Sequence, residues 1–322
     1  MDPRTWLNRW TTRQLTRAVW VLAGLLALTS LAFAGYYYWD RFRARGPLSP
    51  AELALREAEQ AVRENPEDPD LRVTLAGQYY ENHMYDRAYE VASQVLEVYP
   101  DHEAALLLAG MAAVQQDRLE DAIPPLERFI ALRRDRPAAN ADLQLEMAYY
   151  FVGASYVTLG QSERAIEALE AALRISPTDA DALYQLGVAY QAQEQCDAAL
   201  EAFRRAVRLV PDFVEAYQGM VQCYQALGQD DYRLYAEGMV AFGEKRYRQA
   251  RERLEQAAER LPDDASVWLG LGLVYEKLGD LEAARQALAR ARDLAPDDVT
   301  IEHAYGRVQA ALQATPSQEG EP

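Results

Sequence analysis

Residues 180–213 read ADALYQLGVAYQAQEQCDAALEAFRRAVRLVPDF. Leu186, Gly187 and Tyr190 fall at the spacing of one helix face, and Ala199, Phe203 and Ala206 at that of a second. Pro211 ends the second helix, because proline has no N–H to continue the hydrogen-bond ladder. The same block returns as Leu271, Gly272, Tyr275, Gly279, Ala284, Leu288, Ala291 and Pro296, with Trp268 ahead of it. It returns again as Gly153, Tyr156, Gly160, Ala165, Leu169, Ala172 and Pro177. Pro66 and Pro100, Pro177 and Pro211, and Pro262 and Pro296 are each 34 residues apart. A fixed period of this length means stacked supersecondary units that bury their faces against one another.

The pattern resembles the tetratricopeptide repeat (TPR) family over nearly all of the chain after residue 50. The resemblance implies an all-α fold: pairs of antiparallel helices, A and B, stacked as a helical-repeat solenoid into a right-handed superhelix whose concave face binds peptides or proteins. Full repeats are read at 69–102, 103–136, 146–179, 180–213, 231–264 and 265–298, with 51–66 as a lone B helix. Small residues (Gly153, Gly187 and Gly272; Ala165, Ala199, Ala250 and Ala284) recur where A and B helices approach closely.

Three irregularities stand out. Pro124-Pro125 lie in a B helix, and an N-cap at Asp121 would place both among its donor-free first residues. Arg133-Arg134-Asp135-Arg136 and residues 137–145 are an insertion, and most of 138–145 is expected to lengthen the next A helix. Residues 214–228 and 231–243 both read as A helices, so a B helix is missing between them. A terminal repeat needs a capping helix with a polar face. Residues 214–228, with Gln218, Gln222 and Gln225, suit that task, as do 299–313. The expectation is therefore two arrays, 51–229 and 230–313, with the alternative of one continuous superhelix, and a disordered tail at 314–322.

The head differs from the body. Residues 1–45 carry seven Arg and two acids, leaving 26 basic and 48 acidic residues in the remainder. Residues 18–39, AVWVLAGLLALTSLAFAGYYYW, hold no charge, and a helix of that length crosses about 30 Å of hydrocarbon. Trp20 at one end and Tyr36, Tyr37, Tyr38 and Trp39 at the other suit the headgroup level. Trp6 and Trp10, in the basic segment 1–17, suit an interfacial helix before the span. The competing reading is a signal peptide cleaved after Ala34, since Ala32-Phe33-Ala34 fits such a site. Four Arg precede the span and three follow it closely, so charge barely discriminates orientation. Long domains translocate whatever their charge, and the reading taken is N-terminus inside, body outside the cytoplasm. Within the linker 40–50, the ten residues Arg41–Pro50, stiffened by Pro47 and Pro50, reach about 35 Å when fully extended, which keeps the body close to the bilayer.

Chemistry is sparse. The acidic body repels nucleic acid. The three histidines (His83, His102 and His303) lack partners at metal-ligand spacing, and no phosphate loop, serine elbow or haem motif occurs. Cys196 and Cys223 read as small packing residues, and a mutual disulfide between them would favour an oxidising compartment. No catalytic residue, cofactor or metal is expected. A pocket holding a strongly perturbed acid pair would speak for an enzyme.

What remains is the groove. The resemblance implies a lining drawn from A-helix positions: Val73, Leu107, Met111, Tyr150, Val157, Tyr184, Val188, Tyr235, Met239, Phe242, Leu269 and Leu273. Chaperone-docking members clamp a C-terminal carboxylate with Lys and Asn on these helices, and this chain has neither there. An apolar, aromatic lining suits a partner segment with hydrophobic anchors, and a membrane-associated protein is the natural partner. The chain is similar to membrane-anchored bacterial TPR proteins that act as assembly factors or adaptors. The leading expectation is a non-catalytic scaffold at the membrane. The alternatives are a permanent subunit of a membrane complex, a homo-oligomer, or a secreted protein after cleavage.

Overall fold

The computed structural model of the chain describes residues 12–42 and 49–314. The expected interfacial segment ahead of residue 12, linker residues 43–48 and the tail from 315 lie outside the described residues. The chain divides into two compact units, Met1–Gln78 and Tyr79–Pro322.

The first unit holds α1 (Thr12–Phe42), α2 (Pro50–Glu64) and most of α3 (Pro69–Glu81). Val19–Trp39 within α1 has a mean hydropathy of 1.8 and no buried part. It is long and apolar enough to cross a membrane, a property that signal sequences share. α2 opens on a capping box: the Ser49 side chain accepts from the Glu52 N–H, and the Glu52 carboxylate accepts from the Ser49 N–H. Asp68 Oδ1 accepts from the Asp70 and Leu71 N–H groups at the head of α3.

The second unit is a solenoid in which each helix packs on the one before and the one after. It comprises α4 (Tyr85–Val98), α5 (Glu103–Gln115), α6 (Leu119–Arg133), a 3-10 turn (Ala139–Ala141), α7 (Leu143–Thr158), α8 (Ser162–Ile175), α9 (Ala180–Ala192) and α10 (Cys196–Leu209). Beyond these come α11 (Val214–Ala226), α12 (Asp230–Gly243), α13 (Tyr247–Arg260), α14 (Ala265–Leu278), α15 (Leu281–Leu294) and α16 (Val299–Ala314).

The prolines set the helix ends. A residue before proline is driven out of the α region by the clash with the pyrrolidine ring. Tyr99, Ser176, Val210, Leu261 and Ala295 each precede one, each caps its helix with ψ between 57° and 90°, and each still donates its N–H back to the helix. α6 has no such proline, and its cap Arg134 stays in the right-handed helical region. Two residues past the proline, Asp179, Asp264 and Asp298 accept from the first free N–H groups of α9, α14 and α16. Phe213 occupies that place before α11, which therefore starts without a side-chain cap.

Two sequence expectations need correction. α6 begins at Leu119, before Asp121, and runs through both prolines. Leu119, Ala122 and Ile123 are buried, so their packing outweighs two missing bonds to the exposed Glu120 and Asp121. The insertion lengthens α7 little: 139–141 form the 3-10 turn and Asp142 caps α7 from Leu143 onward.

Within a repeat, the A helix gives up a side chain so that the B helix can insert one. A Cβ added at Gly110, Gly153, Gly187, Gly238 or Gly272 would lie 2.3–2.7 Å from Leu126, Leu169, Phe203, Leu254 or Leu288 respectively, in each case the residue sixteen positions later. The pair α11–α12 lacks this lock, because Val221 and Glu237 hold the equivalent places. Its turn is nonetheless of the usual A–B kind. Positive φ occurs once in each such turn of this unit, at His83, Asp117, Gly160, Glu194, Gly228, Lys245 and Gly279. From Gly228 to Lys245 is only 17 residues, half the usual step. α12 thus serves as second helix to α11 and first helix to α13, and one buried cluster continues through it from Leu106 to Ala287.

Gly187→Ala drives a methyl into the Phe203 ring and is expected to cost about 1–3 kcal/mol. Gly306→Ala, mid-helix with open space around it, is expected to gain about 0.5–1 kcal/mol. Urea unfolding followed by circular dichroism checks both, and equal effects at the two sites would contradict the packing described.

Candidate functional site

The half-step slip leaves a gap. Where α11 and α12 meet without the glycine lock, aromatic rings take over. Tyr224 stacks on Tyr232 with centroids 5.5 Å apart, and Tyr217 meets Tyr235 edge-on at 6.1 Å. Rings cannot interdigitate as closely as a leucine in a glycine notch, and a cavity of about 510 Å³ opens beside them.

Its lining comes from five helices of the second unit. Tyr217, Met220 and Tyr224 of α11 and Tyr232, Tyr235 and Met239 of α12 form one side. Leu269, Gly270 and Leu273 of α14 form another, with Ser266, Asp264, Asp298 and Thr300 at helix starts. α10 supplies Glu201, Arg204, Arg205, Val207 and Arg208. Burial pushes the Tyr217 and Tyr235 phenols well above their ordinary value, so both are neutral hydroxyls across the physiological range. The surface is an apolar and aromatic bed with one basic wall, suited to holding a side chain of a partner.

Four of the twelve groove residues read from the sequence (Tyr235, Met239, Leu269 and Leu273) meet in this cavity. The others lie elsewhere. Val73 is buried in α3 of the first unit, and Leu107 is buried in α5 beside half-buried Met111. Tyr150 and Val157 are half-buried on α7, as are Tyr184 and Val188 on α9. Tyr184 rests against Phe213 at 5.1 Å, and Phe242 against Tyr247 at 5.9 Å. The cavity also holds residues that groove positions do not point to, namely Tyr217, Tyr224 and the three arginines. Their signal in the sequence is the doubled A helix, which predicts a fault in the stack but not its lining.

Elsewhere, Glu146 on α7 faces Asp179, the cap of α9. Burial, followed by the hydrogen bond and charge of Asp179, pushes the Glu146 carboxyl up to about 7, and its Oε1 is buried without a partner. Burial and the nearby acids push the Tyr150 phenol up to about 12. Asp179 is committed to the N–H groups of Asp181 and Ala182, and neither acid lines the cavity. Cys196 and Cys223 are free thiols, Cys223 fully buried. Among the described residues no cluster of three or more His, Cys, Asp or Glu could hold a metal ion.

Family models of the tetratricopeptide repeat match residues 153–194, 180–223 and 235–299. The chain belongs to the TPR family. A model described as anaphase-promoting complex, cyclosome, subunit 3 matches the TPR chain at residues 51–129. No curated protein matches it in sequence. Among solved structures it is similar to a MamA protein, at 25% identity and TM-score 0.44, over 59% of this chain and 94% of that one. MamA from Desulfovibrio magneticus matches at 21% identity and TM-score 0.47, over 56% and 94%. A tetratricopeptide repeat protein from Parabacteroides merdae matches at 13% identity and TM-score 0.45, over 87% and 98%.

Glu146 carries a raised folded-state value, so the native state binds its proton more tightly than the unfolded chain does. Its contribution is full below the unfolded value of 4.5 and is lost as pH rises through about 7. Glu146→Gln is expected to raise stability at pH 8 by of order 1 kcal/mol, after allowing for solvent screening, and to flatten stability between pH 5 and 8. Thermal melts across that range check it, and an unchanged slope would remove Glu146 as the cause.

Proposed function

We propose that this TPR protein is a membrane-anchored, non-catalytic scaffold that binds a protein partner through the cavity between α10, α11, α12 and α14 and holds it at the membrane. The observation that carries the reading is the cavity itself, lined by buried tyrosines and methionines with half-buried Tyr232, Leu269 and Leu273. A bed of this composition supplies anchoring area for an apolar side chain of a partner segment. α1 supports the anchoring, since its apolar stretch is of spanning length and closes on an aromatic belt. The seven residues between Phe42 and Pro50 extend no more than about 25 Å, a tether that favours partners close to the bilayer. The body stands outside the cytoplasm, with the N-terminus inside.

A photo-crosslinking residue at position 266, exposed at the cavity mouth, is expected to give a discrete adduct in native membranes. The same group at position 252, exposed on α13 away from the cavity, is expected to give none. Matching patterns from the two positions would sink the docking role of the cavity.

Protease treatment of spheroplasts carrying separate N- and C-terminal tags is expected to digest the body while the N-terminal tag stays with the membrane. A body protected until lysis would reverse the orientation. A shortened chain without its N-terminal tag would establish cleavage near Ala34.

A further inference from the structure

Arginines in the body are mostly neutralised. Arg128 pairs with Asp101 at 2.7 Å, Arg164 with Glu127 at 3.0 Å, Arg260 with Asp231 at 3.0 Å and Arg307 with Glu276 at 2.7 Å. The three on α10 that line the cavity break this habit. Arg204 donates to Tyr224 Oη at 3.3 Å and Arg205 to the Pro177 carbonyl at 3.4 Å, both long contacts to neutral groups. Arg208 makes neither an ion pair nor a hydrogen bond with a described residue. Of the acids in the lining, Asp264 and Asp298 are occupied, while Glu201 stands one turn before Arg204 on the same helix and favours its cation without forming an ion pair. Asp264 accepts from the Ser266 N–H at 2.8 Å, Asp298 accepts from the Thr300 N–H at 2.8 Å, and Glu201 pairs with none of the three arginines.

A repeat-by-repeat comparison shows that the basic wall is a departure from a rule. Tyr156, Tyr190 and Tyr275 each donate their hydroxyl to a glutamate on the preceding B helix, namely Glu127, Glu170 and Glu255. Tyr224 stands at the same repeat position, and the residue facing it is Arg204. The single reversal of sign falls at the one repeat that opens into the cavity. In a body with 26 bases against 48 acids, three guanidiniums without a carboxylate partner lining an aromatic bed form a locally selective feature.

Resting on the docking reading above, we infer that the cavity takes an acidic segment of a partner protein. Its carboxylates meet Arg204, Arg205 and Arg208, and an adjacent apolar or aromatic side chain lies against Tyr232, Met239 and Leu269. Charge complementarity selects this occupant. A basic segment would bring a cation against three guanidiniums, and a purely apolar one would cover them without replacing their water, at a desolvation cost. The acidic surface does not forbid such a partner, because charges more than about 8 Å away are largely screened at physiological salt while contacts inside the cavity are not. The site differs from a carboxylate clamp on A helices, since its cations all stand on one B helix, with Arg204 bonded to Tyr224 on the helix that follows.

The test is selection of short random peptides by phage display on the full chain held in lipid nanodiscs. Enriched peptides are then synthesised and their binding measured by fluorescence polarisation. Peptides joining Asp or Glu to an apolar or aromatic residue are the expected winners. Their affinity is expected to fall about tenfold or more in Arg205→Glu/Arg208→Glu, and less in Arg205→Lys/Arg208→Lys. Versions with the acids changed to lysine are expected to prefer the Arg205→Glu/Arg208→Glu protein. Circular dichroism confirms that each variant keeps its helices. Peptides that lose binding in Leu269→Arg but are basic or neutral, or ignore the arginine changes, would overturn the acidic class and leave the cavity as a docking site. No enrichment, or binding unaffected by Leu269→Arg, would overturn both.

Discussion

Two helices of a repeat lie in close contact only where one surrenders its side chain to the other. The glycine on the first helix and the leucine or phenylalanine sixteen residues later set that approach, and the rest of the second unit is arranged around it. Where the lock is present, at Gly110, Gly153, Gly187, Gly238 and Gly272, the notch is filled to the point that a single methyl would collide. Where Val221 and Glu237 replace it, the helices are held by tyrosine rings and the interior opens. Function is read from that failure to close, because a filled solenoid offers only its surface while an unfilled joint offers a bed.

The slip of 17 residues and the cavity are one event. A repeat that skips its B helix forces the next A helix into a B place, so α12 presents residues selected for one neighbour to another. The mismatch is absorbed by large flat side chains (Tyr217, Tyr224, Tyr232 and Tyr235) that tolerate imperfect fit and still bury area. The change of sign at Arg204 belongs to the same joint. At Tyr156, Tyr190 and Tyr275 a tyrosine hydroxyl satisfies a glutamate across the seam between repeats, whereas here the seam keeps three cations lining an opening. Electrostatics thus marks the place that packing leaves open, in a body whose net charge points the other way.

Proline and aspartate make the remaining joints regular. Each helix-ending proline forces its predecessor out of the helical conformation, and after Pro177, Pro262 and Pro296 the aspartate two residues beyond captures the first amides of the next helix. Chain direction reverses within a few residues, leaving little freedom in the turn. α11 has Phe213 instead of a capping acid and starts without a side-chain cap.

Much of this was legible in the sequence. The 34-residue recurrence of Gly, Tyr, Ala and Pro determined an all-α repeat, the helix ends and the doubled A helix at 214–243, because those residues act locally through backbone geometry and steric size. The uncharged stretch 18–39 determined a helix of membrane-spanning length, a matter of composition alone. The start of α6 escaped, since burial of Leu119 and Ile123 is decided by neighbouring helices and overrode the local logic of Pro124 and Pro125. The site escaped in part for the same reason. Tyr235, Met239, Leu269 and Leu273 were visible as repeat positions, whereas Tyr217, Tyr224 and the α10 arginines gain their meaning only from what stands opposite them. Which side chains share a cavity depends on pairing across helices far apart in the chain, and only the tertiary structure decided it.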